Sequence, residues 1–327
     1  MNLAPYIGKN ILITGACGYV GRMLLDQLLS IDCNITILDR PESIATLPKN
    51  LQGTLRLIPG DIREQQTWIK TVPNQEIIFH LAAQTSHYEA NRNPEMDWRF
   101  NTLPIIHLAE AAKQSQTKPH VVFASSATVV GLPTNFPIDE STHCQPVTVY
   151  DIHKLASENF LNFYSIQGVL TGVALRLANV YGYSVGQSGK DRGVVSILAS
   201  RALQGEPLTV FGSGEWLRDY IHVTDVVSAF LESGKLHLTE EKFRVFNVCS
   251  GTSTKFKDTV KMIADSAKSL SGKNVPIEHK QVANLSPIDE RSYVGSNTAL
   301  TTATDWRPTL TLQQGITNLI NEMYSGQ

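Results

Sequence analysis

The chain lacks the features that mark a metal protein, a disulfide scaffold or a partner of polyanions. Its four cysteines, Cys17, Cys33, Cys144 and Cys249, are far apart and form no C-x-x-C pair. Neither a zinc site nor a disulfide framework is therefore visible, and reduced thiols in a cytoplasmic protein are expected. Nine histidines supply no H-x-x-x-H pair with a carboxylate partner, so no metal is expected. The formal net charge is only −2, with no run of five or six like charges, which argues against nucleic acid and anionic membrane surfaces as partners. No stretch approaches the roughly 20 apolar residues of a membrane helix. The first strand-like run begins within about ten residues, leaving no room for a secretory signal, so a soluble, intracellular protein is expected. Internal repeats, long linkers and low-complexity tracts are also absent.

What the chain does have is ample core material: 327 residues, of which 42% are hydrophobic. Its first half alternates short apolar runs with longer amphipathic ones. Strand-like runs read "KNILITG", "NITILD", "TLRLIPG", "EIIFHLAA", "HVVFASS" and "TGVALRLANV". Helix-like segments between them cover about 21–30, 64–70, 96–116 and 150–167. This order predicts an α/β fold, a doubly wound parallel sheet of the Rossmann type with helices on both faces. After about Val180 the alternation loosens. Residues 1–180 are expected to form a nucleotide-binding domain, with about 220–250 returning to it. Residues 181–327 are expected to form mainly a smaller mixed α/β substrate lobe, with helices over about 255–270 and 312–324. "SVGQSGKDRG" reads as a polar, glycine-rich loop, and Asp225 either caps a helix or makes a strand-end contact.

In "ILITGACGYVG" the glycines Gly15, Gly18 and Gly21 recur every three residues between a strand and a helix. Glycine permits positive φ and lets backbone approach a pyrophosphate, and the helix N-terminus favours the phosphates. The spacing is G-x-x-G-x-x-G, not the better-known G-x-G-x-x-G, and alone it describes no more than a turn. The next strand ends at Asp39, 18 positions after Gly21. A carboxylate there accepts hydrogen bonds from adenosine ribose hydroxyls and repels a 2′-phosphate, favouring NAD over NADP. Arg40, beside it, is a residue type that accommodates a 2′-phosphate. A further strand ends in "GDI", where Asp61 could bond the adenine amino group and Ile62 pack on its ring.

"TGACGYVG", "GDI", "HLAAQ", "VVFASSATVVG", "YDIHK", "LRLANVYG" and "GSGEWLRDYIHVTDV" follow one another in an order that resembles the extended short-chain dehydrogenases/reductases of the sugar-nucleotide epimerase/dehydratase family, the UDP-glucose 4-epimerase-like members in particular. The resemblance runs from about Asn10 to Ile320. It implies NAD as cofactor, held also by Tyr19, Val20, Leu81, Ala82 and Ala83. It further implies a nucleoside-diphosphate sugar as substrate.

Tyr150 and Lys154 of "YDIHK" lie four residues apart, on one face of a helix. Such a pair is usually surface decoration. Its place after "SSAT", together with the resemblance, makes Tyr150 the catalytic base and Lys154 its cationic support and a ligand of the nicotinamide ribose. Ser126 matches the family's catalytic hydroxyl, while Ser125 is expected to face the other way. Family dehydratases carry an Asp-Glu pair after this serine, but here Ala127 and Thr128 stand in its place. The resemblance therefore favours C4 epimerisation through a transient 4-keto sugar. An NAD(P)H-dependent 4-keto-sugar reductase is the alternative, ahead of a 4,6-dehydratase or a non-catalytic cofactor sensor.

By resemblance Asn179 and Arg218 bind the substrate diphosphate, and Arg291 takes the role of a second arginine because Ser286 occupies its more common position. Gln84, Thr85, Ser86 and His87 would face the sugar, although a surface role suits His87 as well. His80, inside an apolar strand, reads as a core residue. The helices over about 96–116 and 150–167 are the pair that dimerises in this family, which implies a homodimer.

Overall fold

The computed structural model describes residues 2–183, 193–236, 238, 242–281 and 286–325. The glycine-rich loop expected at 184–193 lies, Gly193 apart, outside the described residues. In chain order the strands are β1 (Asn10–Thr14), β2 (Asn34–Asp39), β3 (Arg56–Pro59), β4 (Ile77–His80), β5 (His120–Ser126), β6 (Thr171–Leu177), β7 (Asn179–Tyr181), β8 (Leu208–Phe211), β9 (Leu217–Arg218), β10 (Tyr220–His222), β11 (Phe243–Val248), β12 (Thr254–Lys255) and β13 (Ile277–Lys280). The chain divides into two compact units. One takes Met1–Gly131, His143–Arg176 and Val227–Phe246, and the other Leu132–Thr142, Leu177–Val226 and Asn247–Gln327.

The first unit is built on a seven-stranded parallel sheet of order β11-β6-β5-β4-β1-β2-β3. β1 pairs in parallel with β2 through Ile11↔Ile35 and with β4 through Ile11↔Ile77. Alternate residues face opposite sides of a sheet, and both sides are dry. Leu12, Leu38, Ile78, Val121 and Phe123 join one apolar cluster with Trp68, Leu108 and Leu161. Ile11, Ile13, Ile37, Phe79 and Val122, one step out of phase, are equally buried. Helices therefore cover both faces, the doubly wound arrangement that near-continuous apolar strands require. The strand order reverses between β1 and β4, where such sheets bind ligands beyond the carboxyl ends of their strands.

Two expected elements are divided. The run "TGVALRLANV" breaks at Ala178, whose N–H goes to Val248 O, and its second half, β7, pairs with β10 instead of continuing the sheet. The helix expected over 96–116 is two helices, Pro94–Asn101 and Leu103–Lys113. Pro104 has no N–H to donate to the carbonyl four residues back, and Thr102 at the junction turns its hydroxyl to His153 O (3.1 Å).

The second unit has its own core. The helices Val194–Gln204, Phe256–Ser271 and Leu312–Ser325 bury Leu198, Ile263, Ile316 and Leu319 together with Leu208 of β8. Asp225 lies in the first turn of the helix Val223–Ser233, where its carboxylate accepts from Thr309 N, Thr309 Oγ1 and Leu310 N. It thus ties the approach to the last helix. Among the described residues no helix is long and apolar enough to cross a membrane, and none of the four cysteines is in a disulfide.

Candidate active site

The three glycines of the loop after β1 differ in what fixes them. Gly15 has φ +73°, and a Cβ there would lie 2.7 Å from Ala82 N. At Gly21 a Cβ would lie 2.0 Å from Gly15 O. Both positions are closed by the protein's own backbone: Gly15 lets the loop pass the end of β4, and Gly21 lets the helix Tyr19–Leu28 sit against the loop. Gly18 is different. Its φ of −81° suits any residue, and a Cβ would meet only Gly15 O, at 3.2 Å. Gly18 also caps the helix, leaving its first turn, Tyr19, Val20 and Gly21, without a side-chain cap. The open space is therefore at Gly18 and the helix N-terminus, where an anion is favoured.

Beside this loop, Cys17 N donates to Asp39 Oδ2 (3.0 Å) and Arg40 N to Asp39 Oδ1 (2.9 Å). The Cys17 thiol also hydrogen-bonds the carboxylate, which keeps acceptor capacity for a further donor. Burial and the Asp39 carboxylate push the Cys17 thiol up to about 12. The exposed Arg40 guanidinium lies 3.5 Å from Glu42. Asp61 is engaged by its neighbour Arg63 through backbone and guanidinium, which holds its carboxyl below its usual range. Ile62 is buried in the cluster of Leu12, Leu38 and Trp68, and its carbonyl accepts from Trp68 Nε1 (2.7 Å). Leu81 N and Ala82 N both donate to Thr14, to its carbonyl and hydroxyl oxygens (each 3.2 Å). Leu81 and Ala82 are thereby held against the end of β1, and Ala83 follows them in the chain. The fit to a dinucleotide is good: glycine space, a bare helix N-terminus and a strand-end carboxylate adjoin the switch point.

Ser126, Tyr150 and Lys154, the three residues expected to be catalytic, all lie within the first unit. Thr148 caps the helix Val149–Ile166, its hydroxyl accepting from Asp151 N (3.1 Å), an interaction typically worth about 1 kcal/mol. That start sets Tyr150 in the first turn and Lys154 one turn on. Ser126 Oγ is bonded to Thr128 Oγ1 (2.7 Å) and contributes a hydrogen bond to Tyr150. Ser125, one residue earlier, points elsewhere, donating to Glu158 Oε1 (2.5 Å). Glu158 is also paired with Arg176, both side chains buried. Lys154 is 2% exposed, and its Nζ donates to Ala124 O (2.9 Å) and lies 5.7 Å from the Tyr150 ring centroid. Burial pulls Lys154 down to about 8, with the Asp97 and Glu158 carboxylates opposing. Tyr150 is pushed up by burial and by Asp151, with the Ser126 hydrogen bond opposing. Burial thus disfavours the charged form of both side chains.

The loop after β4 is tied down by its own groups. Gln84 Nε2 donates to Ser86 O (2.9 Å) and Asp97 Oδ1 (2.8 Å), and Ser86 N donates back to Gln84 Oε1. Thr85 is exposed, and Ser86 caps the helix His87–Arg92 by accepting from Glu89 N. The His87 ring lies 4.0 Å from that of Tyr88, centroid to centroid. His80 is buried with Nδ1 on Thr14 Oγ1 (2.7 Å), and burial pulls it down to about 3, so it is a neutral core residue.

In the second unit Asn179 opens β7, exposed, with Nδ2 on Asp219 O (2.9 Å). Arg218 donates to Asp289 O (2.6 Å). Burial, then the like charge of Arg291, lowers its pKa. Arg291 is itself 8% exposed. The two guanidiniums, one part-buried and one buried, thus carry like charges that act on one another. Among the described residues no group of three or more histidine, cysteine or acidic side chains is placed to hold a metal.

The family model described as the NAD dependent epimerase/dehydratase family matches residues 11–249. The chain belongs to that family. NAD is accordingly its cofactor. The UDP-glucose 4-epimerase of Mycolicibacterium smegmatis is 30% identical over 315 residues, covering 94% of this chain and 96% of that one. The dTDP-4-dehydro-6-deoxyglucose reductase of Escherichia coli is 26% identical, covering 96% and 98%. A crystal structure of UDP-glucose 4-epimerase from Thermotoga maritima with UDP-glucose superposes with a TM-score of 0.83 at 26% identity, covering 97% and 99%. Against that family background, the residues that sequence reasoning missed are Thr128, Asp97, Asn101 and His153. Thr128 was noted only as replacing an acid, and nothing local in the sequence marks the other three.

Proposed function

We propose that the protein is an NAD-dependent epimerase of a nucleoside-diphosphate sugar, acting at C4. The observation that carries this reading is the turn Ala127–Val130 after Ser126. It sets a threonine hydroxyl against the catalytic serine and has no carboxylate for eliminating water. Gly15, Gly18, Tyr19, Val20, Gly21, Asp39, Arg40, Asp61, Ile62 and Leu81–Ala83 would hold the dinucleotide, its phosphates at Gly18 and the adenosine ribose at Asp39. NAD held by these residues would supply a reversible hydride acceptor for the sugar C4, so that the same hydride could return to the other face of the sugar. Tyr150 removes the O4 proton and later restores it, with the phenolate favoured by Lys154 and the Ser126 hydrogen bond. Lys154 would also hold the nicotinamide ribose. Arg218 and Arg291 bind the diphosphate with Asn179, and Gln84, Ser86 and His87 are the loop positions assigned to the sugar.

The test is turnover of a panel of UDP, dTDP, CDP and GDP hexoses without added cofactor. Epimerisation with no net change in NADH absorbance is expected, and Tyr150→Phe should lose about 10²–10⁴-fold in rate while still binding NAD. Stoichiometric consumption of a reduced cofactor would instead establish the keto-sugar reductase. That second reading is favoured by the reductase among the relatives and by Arg40 beside Asp39. We also infer a homodimer. Ile152, Phe163 and Ile166 are exposed along one stripe of the helix Val149–Ile166, which suits a second copy, and light scattering should give twice the 36.1 kDa chain mass.

A further inference from the structure

Asp97 is 1% exposed. Its Oδ1 accepts from Gln84 Nε2 (2.8 Å) and Asn101 Nδ2 (2.9 Å), and its Oδ2 is bonded to His153 Nδ1 (2.7 Å). The three partners come from three places. Gln84 lies on the loop after β4, Asn101 on the helix Pro94–Asn101, and His153 on the catalytic helix, between Tyr150 and Lys154. Asn101 also donates to Gln84 O (3.1 Å), closing the cluster. No arginine or lysine is paired with Asp97 among the ion pairs of the described residues. Its only ion-pair partner there is His153, which is charged only when protonated.

We propose that Asp97 is a positioning residue for the reaction: it fixes the catalytic helix through His153 and serves as the counter-charge that keeps Lys154 an ammonium. Two carboxylates support that cation, Asp97 and Glu158. Glu158 already has a full partner, since Arg176 Nε and Nη2 both donate to it (3.0 and 2.8 Å) together with Ser125 Oγ. Asp97 has only neutral amides and an imidazole, so its charge remains to act on Lys154. The other titratable groups facing Lys154 are Tyr150 on its own helix and the neutral His80 of β4. The helix His87–Arg92, which also packs on the catalytic helix, has its Glu89–Arg92 pair closed on itself in solvent.

This assignment rests on Tyr150 and Lys154 being the chemical machinery, so its test includes a readout that needs no turnover. Asp97→Asn keeps the size and removes the charge; its amide oxygen can still accept from Gln84 and Asn101, and its NH2 can meet His153 Nδ1 in the tautomer that accepts. With the protein isotope-labelled at lysine Cε, and Lys154→Arg used to assign the signal, the Lys154 titration is followed by NMR with and without NAD. Removing the negative charge lets the ammonium release its proton earlier, so the midpoint should fall by about one pH unit. Asp97 also raises Tyr150, so both limbs of the activity profile should move to lower pH, whereas a merely structural role would lower kcat without moving the profile. Asp97→Glu should restore the wild-type midpoint. Should Asp97→Asn not fold, His153→Gln leaves Asp97 charged, and the Lys154 midpoint should hold or rise. A midpoint unmoved in Asp97→Asn, or one that falls in His153→Gln, overturns the proposal. A chain that epimerises no sugar nucleotide but shows the shifted midpoint would refute the functional reading alone.

Discussion

Substituting Gly18 and Gly21 separately by alanine should divide folding from cofactor binding. In Gly21→Ala the new Cβ would lie 2.0 Å from Gly15 O, where ordinary contact begins near 3.4 Å. The helix or the loop must therefore open by about 1.4 Å, the difference of those two figures. Both are backbone held in a sheet-and-helix core, so the strain should match or exceed the ~1–3 kcal/mol of an overpacked core. The better helix propensity of alanine returns about 1 kcal/mol. Strain at the top of that range leaves a net loss of about 2 kcal/mol, which corresponds to a melting temperature lower by roughly 4–8 °C. Gly18→Ala meets only Gly15 O at 3.2 Å, with φ −81°, so its melting temperature should stay within about 2 °C of wild type. Its methyl nevertheless occupies the space assigned to the phosphates, and NAD affinity should fall at least tenfold. Differential scanning calorimetry of the cofactor-free proteins and calorimetric NAD titration measure the two quantities. Wild-type NAD affinity in Gly18→Ala would refute the assignment of the phosphate space, and an unchanged melting temperature in Gly21→Ala would refute the packing argument.

Asp219 is fully buried, and each of its oxygens receives two donors, Ser250 N and Oγ on one, Gly251 N and Gly295 N on the other. Burial raises it from 3.8 to about 6 despite those bonds. The folded state therefore holds this proton more tightly than the unfolded one, and the contribution, full below about pH 4, is lost as pH rises through about 6. Denaturant titrations should show that slope in wild type and lose it in Asp219→Asn, which turns an NH2 toward two donors and costs about 2–4 kcal/mol. Arg176→Met leaves Glu158 buried without its cation and should cost about 3–5 kcal/mol in the same assay. Arg218→Lys keeps charge but loses the guanidinium fork, so KM for the sugar nucleotide should rise roughly tenfold or more with kcat little changed.

Much of the first unit could be read from the sequence because its determinants are local. "NITILD" is β2 residue for residue, and "HVVFASS" is β5, since strands buried on both faces are continuous apolar runs bounded by polar turns. Strand alternation told Ser125 and Ser126 apart as facing opposite ways, while the choice of Ser126 came from the family resemblance. The glycine loop was legible as a motif, but not the division of labour within it, because only a three-dimensional neighbour, Ala82 or Gly15 O, shows which glycine the protein itself requires. Asp97 was invisible for the same reason: Gln84 lies 13 positions before it and His153 56 after, and nothing in "NPEMDWRF" distinguishes it from a surface carboxylate. The divided helix at Thr102 was accessible in principle, since Pro104 stands two residues further on. The end of β6 was not, because β7 departs to a partner, β10, some 40 residues away in the chain.

The partition of the chain has a consequence for how such proteins can be altered. Each unit is assembled from three separate stretches, so the polypeptide passes from one unit to the other five times. Neither unit can be excised or grafted as a contiguous cassette. Exchanging the second unit with that of a relative takes three simultaneous replacements, one of them the 11-residue piece Leu132–Thr142. A chimera joined at a single point near residue 177 would inherit the β11 edge of its sheet from one parent and the β6 it pairs with from the other. Changes of specificity in such a chain are most readily made by point substitution within an intact thread.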